Sequence, residues 1–227
     1  MKKNTLRNCL FAFGLALLLV SVATAQDNFV RGGVAGVSGL HSRAVLPPWA
    51  IFSNCGAGCT SYNTGSGYYI SGTALSTGAG QTLAMGFTPA SATALSFYFA
   101  LTPNTVYTSN GGASSGKMSA YLLNGSAATG PTTMLAKLRQ NGTIPDYPSI
   151  KTIKYTSAKA ITFKKGKTYF LCETEPVADV QLLWMVSNSD TTSPFWFQDS
   201  DSCTAKGLTW LNATGAADGA AFDVHAH

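Results

Sequence analysis

Apolar and polar positions change character along the chain. From Leu10 to Val20 the residues are almost all apolar, with Lys2, Lys3 and Arg7 before them and Ala23-Thr24-Ala25 after. Charge, a short greasy run and a small-residue site form the pattern of a cleavable export signal, with the cut expected between Ala25 and Gln26. The run is shorter than the roughly 20 residues a membrane helix needs. No later stretch approaches that length, so no membrane span is expected after cleavage. Cys9 precedes the apolar core, which argues against a lipid-anchored cysteine. Residues 26–66 are rich in Gly, Ser and Asn, carry Pro47-Pro48, and read as a loosely ordered lead-in and loop.

From residue 67 to 227 the texture is that of a β domain. Short runs rich in Tyr, Phe, Val, Ile, Thr and Leu alternate with turn residues. They predict strands over Tyr68–Gly72, Thr82–Phe87, Ala94–Leu101, Lys117–Leu123, Met134–Leu138 and Lys151–Thr156. Further strands are predicted over Ile161–Phe163, Thr168–Glu173, Gln181–Ser187, Phe195–Gln198, Thr209–Leu211 and Ala221–Val224. Period-2 alternation puts Phe97, Phe99 and Leu101 on one face, and Met118, Ala120 and Leu122 on another. No long stretch has a 3.6-residue apolar period; Thr132–Arg139 could be a strand or a single helical turn. The expected fold is an all-β, jelly-roll-like antiparallel sandwich, one domain after the signal.

Removing the signal changes the charge. Three of the 15 basic residues and none of the 10 acidic ones leave with it, so the balance falls from +5 to +2. A near-neutral protein has no global electrostatic case for nucleic acid as a partner. Charge is segregated, however: residues 137–167 hold 8 of the 12 remaining basic residues, and residues 173–223 hold 8 of the 10 acidic ones. This reads either as complementary surface charge between strands or as a basic patch that meets an anionic surface or polysaccharide. Lys164-Lys165-Gly166-Lys167 reads as a hairpin tip, with Gly166 at the tight turn.

Four cysteines remain, Cys55, Cys59, Cys172 and Cys203. An even set in an exported chain reads as disulfides. Cys55–Cys59 is expected as a local clip and Cys172–Cys203 as a long-range staple. A zinc site would want paired CxxC spacings or nearby histidines, which Cys172 and Cys203 lack.

The order of features from Gly67 onward resembles the bacterial extracellular domains called choice-of-anchor R. The residues that carry the likeness are Gln81–Pro89, Gly130-Pro131, Phe163–Phe170, a late tryptophan strand and Ala221–Val224. The resemblance covers roughly 160 residues. It implies an extracellular sandwich, with no agreed enzymatic activity and no catalytic residues. That family is named for its surface-sorting tails; none follows the domain before His227, so anchoring is not expected from the sequence.

Gly112–Gly116 matches GxSxG, but lies in a Gly/Ser stretch followed by a strand, whereas a nucleophile elbow needs a strand-to-helix turn. Glu173 and Glu175 would share a strand face about 7 Å apart, a spacing in the inverting glycosidase range. Neighbours on one strand flank a scissile bond poorly. Asp199 and Asp201 could offer oxygens to calcium, which wants six to eight. Asp223, His225 and His227 alternate on the last strand, and His41 stands alone. Trp184, Trp196 and Trp210 lie on three late strands and are the candidate binding residues, since an outward tryptophan platform holds sugar rings. The alternative is core packing. Trp196 must differ in face from Phe195 and Phe197. Asn124, Asn141 and Asn212 open formal sequons that read as turns if the source is bacterial. The expectation is a non-catalytic secreted or periplasmic sandwich without a cofactor, its partner a glycan, matrix or surface component. A structural assembly module is the first alternative and a glycoside hydrolase the second.

Overall fold

The structure, a computed structural model, describes residues 31–33, 50–56, 58–72, 80–89, 93–103, 116–145, 149–175, 181–188, 193–200, 202–204, 209–214 and 219–226. The expected export signal 1–25, His41, His227, most of the GxSxG stretch and Asp201 lie outside these residues. The strands are β1 (Arg31–Gly33), β2 (Ala50–Ser53), β3 (Tyr62–Ser71), β4 (Thr82–Phe87), β5 (Thr93–Pro103), β6 (Ser119–Ser126) and β7 (Gly130–Asn141). They continue with β8 (Lys151–Thr162), β9 (Thr168–Thr174), β10 (Gln181–Ser187), β11 (Phe195–Gln198), β12 (Leu211–Asn212) and β13 (Phe222–Ala226). The fold is all-β and antiparallel, as the alternation predicts.

One hydrogen-bonded path runs β3-β10-β5-β8-β7-β6-β9-β4-β11-β12, with β13 pairing β5 and β2. The path doubles over on itself. Tyr68 of β3 and Phe195 of β11, far apart along it, bring their ring centroids to 4.7 Å. Phe87 of β4 meets Phe222 of β13 at 5.8 Å and Phe52 of β2 at 5.6 Å. Phe97, Phe99 and Leu101 are fully buried, as are Ala120 and Leu122. Edge-on ring contacts continue from Phe99 to Tyr155 and to Trp184. Burying rings of this size is the main favourable term for such a core.

Both cysteine pairs stand at disulfide distance: Cys55–Cys59 with S–S 2.13 Å and Cys172–Cys203 with S–S 2.11 Å. The first closes a tight loop in which Cys59 adopts φ 54°.

Besides the short β1 in the expected lead-in and β12, which begins at Leu211 and not at Thr209, two segments differ from the sequence expectation. Residues 49–66 were expected as loop, yet β2 and the start of β3 lie there. Their turn residues are absorbed by an irregularity: β3 pairs Gly67 with Met185 and then Asn63 with Val186, so residues 64–66 loop out of register. Gly65 N–H donates to Asn63 Oδ1 at 2.8 Å, a local turn inside a strand. Secondly, Lys151–Thr156 and Ile161–Phe163, expected as two strands, are one. In β8 the pairs Ser96↔Thr156 and Ala94↔Ile161 leave residues 157–160 opposite a single residue of β5.

Candidate functional site

The two halves of the path are joined at β7 and β8, and that ladder is short. It runs only from Arg139↔Thr156 to Asn141↔Lys154. Gln140 fixes the junction. Its Oε1 accepts from Met118 N–H at 2.8 Å and from the Tyr155 hydroxyl at 3.1 Å. Its Nε2 donates to the carbonyls of Gly116 and Gly142 at 2.7 and 2.9 Å. Beyond this junction the strands part. β7 continues along β6 from Leu138 to Gly130, while β8 continues along β5 to Thr162. Between them opens a cleft of about 870 Å³, within the usual range of ligand sites.

Bulges aim its lining. In β7, Leu122↔Ala136 is followed by Leu123↔Met134, and Asn124↔Thr133 by Gly125↔Pro131. Leu135 and Thr132 are therefore the extra residues, and both line the cleft. Asn124 holds the second bulge, its Oδ1 accepting from Thr132 Oγ1 at 2.9 Å and from Thr133 N–H at 3.1 Å. The displaced residues 157–160 of β8 form the facing wall. Met134 and Leu135, 48% and 45% exposed, are the large apolar side chains left in solvent among the described residues.

The cleft is cationic. Lys137, Lys159, Lys164 and Lys167 line it, and among the described residues no carboxylate does. Gly166, at φ 73°, turns the hairpin that carries the last two, and Lys167 N–H donates to the Lys164 carbonyl at 3.2 Å. Lys137 Nζ also lies 5.7 Å from the Tyr121 ring centroid. Among the described residues Asp199 is the one exposed carboxylate; Glu173, Glu175 and Asp223 are buried. Positive charge gathered around a concave surface focuses its field on an incoming anion. The basic segment 137–167 is legible in the sequence. The bulges that separate two strands there are not; the break between the two expected β8 runs is their one local signal.

The other candidates lie elsewhere. Trp184 is fully buried and its Nε1–H donates to the Ala221 carbonyl at 2.7 Å. Trp196 is 6% exposed and packs among Ala84, Leu123, Phe170, Cys172 and Cys203, with Trp210 half-buried against the same cluster. Trp184 and Trp196 thus form no outward platform. The reason for Trp196 is the Cys172–Cys203 bridge: it holds the segment after β11 over the face that alternation assigns to this residue.

Glu173 and Glu175 follow one another on the same side at the end of β9 and are fully buried. Both carboxyl oxygens of Glu173 lack a hydrogen-bond partner among the described residues. Burial first, and then the neighbouring Glu175 charge, push the Glu173 carboxyl well above the ordinary carboxylate range. Asp223 Oδ2 lies 2.5 Å from His225 Nε2 and accepts from Gly58 N–H at 2.7 Å. Burial raises the Asp223 carboxyl despite these partners. Asp199 is exposed, and among the described residues no group of three or more His, Cys, Asp or Glu side chains could hold a metal ion. No helix among them is long and apolar enough to cross a membrane.

No family model, no curated protein and no solved structure matches the chain.

Proposed function

We propose that this is an exported, non-catalytic binding module with a jelly-roll-like sandwich scaffold, whose β7–β8 cleft holds an anionic polymer of a cell surface or matrix. One observation carries the reading: four lysines, and no carboxylate among the described residues, line a ligand-sized cleft. The export signal and the two cysteine pairs at disulfide distance agree with work in an oxidising compartment. The likeness to choice-of-anchor R domains points to the same location. Burial of Glu173 and Glu175 supports binding over glycoside hydrolysis, because a carboxylate pair must reach both sides of the scissile bond.

The test is binding of the mature chain to polygalacturonate, dextran sulfate and neutral dextran across a salt series. The two polyanions bind, neutral dextran does not, and affinity falls as salt rises. The double change Lys137→Glu and Lys159→Glu weakens binding about tenfold, at the ~0.2–1 kcal/mol typical of one exposed charge pair. Equal retention of dextran and dextran sulfate, or a reversal variant that binds as well as the parent, sinks the assignment.

A further inference from the structure

The cleft is bounded by backbone as well as by lysine. Along residues 130–138 β7 has β6 on one side, and β8 has β5 on one side at Ile161 and Thr162, with residues 157–160 displaced from that ladder. Past the Arg139↔Thr156 pair, the facing edges have no ladder partner among the described residues. Both belong to strands there, β7 through two single-residue bulges and β8 through a wider one. Extended edges in this state present N–H and C=O groups spaced to template another strand. We propose that the natural occupant is an extended acidic polypeptide segment, which adds as a strand between β7 and β8. This rests on the reading that the cleft is the binding site.

The side chains specify the segment. Successive residues of an added strand point to opposite faces. Leu135, Ala136, Ala158, Ala160 and Ile161 give one set of its residues an apolar or small surface. Lys137, Lys159, Lys164 and Lys167 surround this surface with positive charge. The complementary sequence alternates apolar and acidic residues, with main-chain hydrogen bonds supplying affinity and alternate side chains supplying selectivity. Opposite Ala120–Ser126 of β6, the β7 edge runs about 20 Å at 3.3 Å per residue, room for a short strand. A sugar chain finds less here. The aromatic ring in the lining is Tyr169, which is buried and whose hydroxyl accepts from Lys164 N–H at 2.9 Å, so the wall offers no open ring to stack on. The lysines also select against the wrong strand: a second copy of this edge brings like charge and is repelled, as charged edge strands commonly arrange.

The experiment compares three probes on the full mature chain: a capped synthetic peptide of alternating Glu and Val, the same peptide N-methylated at every second residue, and polygalacturonate. N-methylation keeps every charge and side chain but removes main-chain donors, and the protein itself is unaltered. The parent peptide is expected to bind and to slow amide hydrogen exchange in residues 132–137 and 157–162. The methylated peptide binds about tenfold more weakly or worse, for lack of those donors, and polygalacturonate leaves exchange at both edges unchanged. Equal binding of all three probes without protection overturns the strand proposal and leaves the anion-binding function standing. Binding of none overturns both. Protection of the two edges that grows with protein concentration, with no peptide present, makes the occupant a second copy and overturns the acidic-partner proposal.

Discussion

Glu173 is a carboxyl that the fold keeps from water, beside a second carboxyl at Glu175 and facing a buried phenol. Burial and the charges of Glu173 and Glu175 push the Tyr155 hydroxyl up as well. The folded state therefore binds the Glu173 proton more tightly than the unfolded chain does. Its contribution to stability is complete below the ordinary value near 4.5 and is lost as the pH rises from there through the raised folded value. Asp223 acts in the same direction. The urea midpoint is thus expected to fall over the interval of rising pH above the ordinary carboxylate values of about 4. Glu173→Gln keeps the shape and removes the proton, so its midpoint falls less over that interval. A variant that falls as steeply as the parent would clear Glu173 of this role. The sequence placed both glutamates on one face but could not say whether that face met water. Trp196 had the same ambiguity. Alternation separates it from Phe195 and Phe197, while a bridge to a distant segment decides that its face is covered. Gly130 completes that cover: at φ 75° it leaves room for the indole, where an added Cβ would lie 2.8 Å from Cδ2 of the ring.

At the scale of elements, the two bridges do different work. Cys172–Cys203 spans 31 residues and Cys55–Cys59 spans 4. In the chain-entropy account, losing the first costs about 3–4 kcal/mol and losing the second about 2 kcal/mol. Replacing each pair with alanines and following urea unfolding by tryptophan fluorescence checks the order. The native emission should change for the Cys172–Cys203 variant, which uncovers Trp196, and stay put for the other. Equal losses would contradict the loop-length argument. Strands whose apolar run is continuous were legible: β4 and β10 lie where the sequence puts them, because both faces of each are buried. Strands that carry turn chemistry were not. Thr64-Gly65-Ser66 in β3 and Ser157-Ala158-Lys159-Ala160 in β8 read as breaks. In the sheet they are residues displaced from the ladder, and register against a distant partner strand has no local signature.

For the whole molecule, the cleft's charge carries a cost in stability. Lys137, Lys159, Lys164 and Lys167 converge on one concavity, and Asp199, the exposed carboxylate among the described residues, is not part of its wall. The basic segment was visible in the sequence; its convergence was not, because β7 and β8 part at bulges whose register is set by β6 and β5. Like charges gathered this way repel within the folded state and much less in the expanded chain. Salt should then raise the melting temperature at low ionic strength and level off once the screening length falls to about 10 Å, near 0.1 M. Lys159→Glu removes one repulsion and adds an attraction to the remaining lysines. It should stabilise the free protein by a few tenths of a kcal/mol at low salt, at most about 1, with the gain shrinking as salt is added. The same change weakens binding of polyanions. Opposite signs for stability and binding are what a cleft held for a ligand produces, since strain there is relieved by the ligand's own charge. If Lys159→Glu instead lowers the melting temperature at low salt while binding is unchanged, the lysines serve the packing of β7 and β8 and the site lies elsewhere.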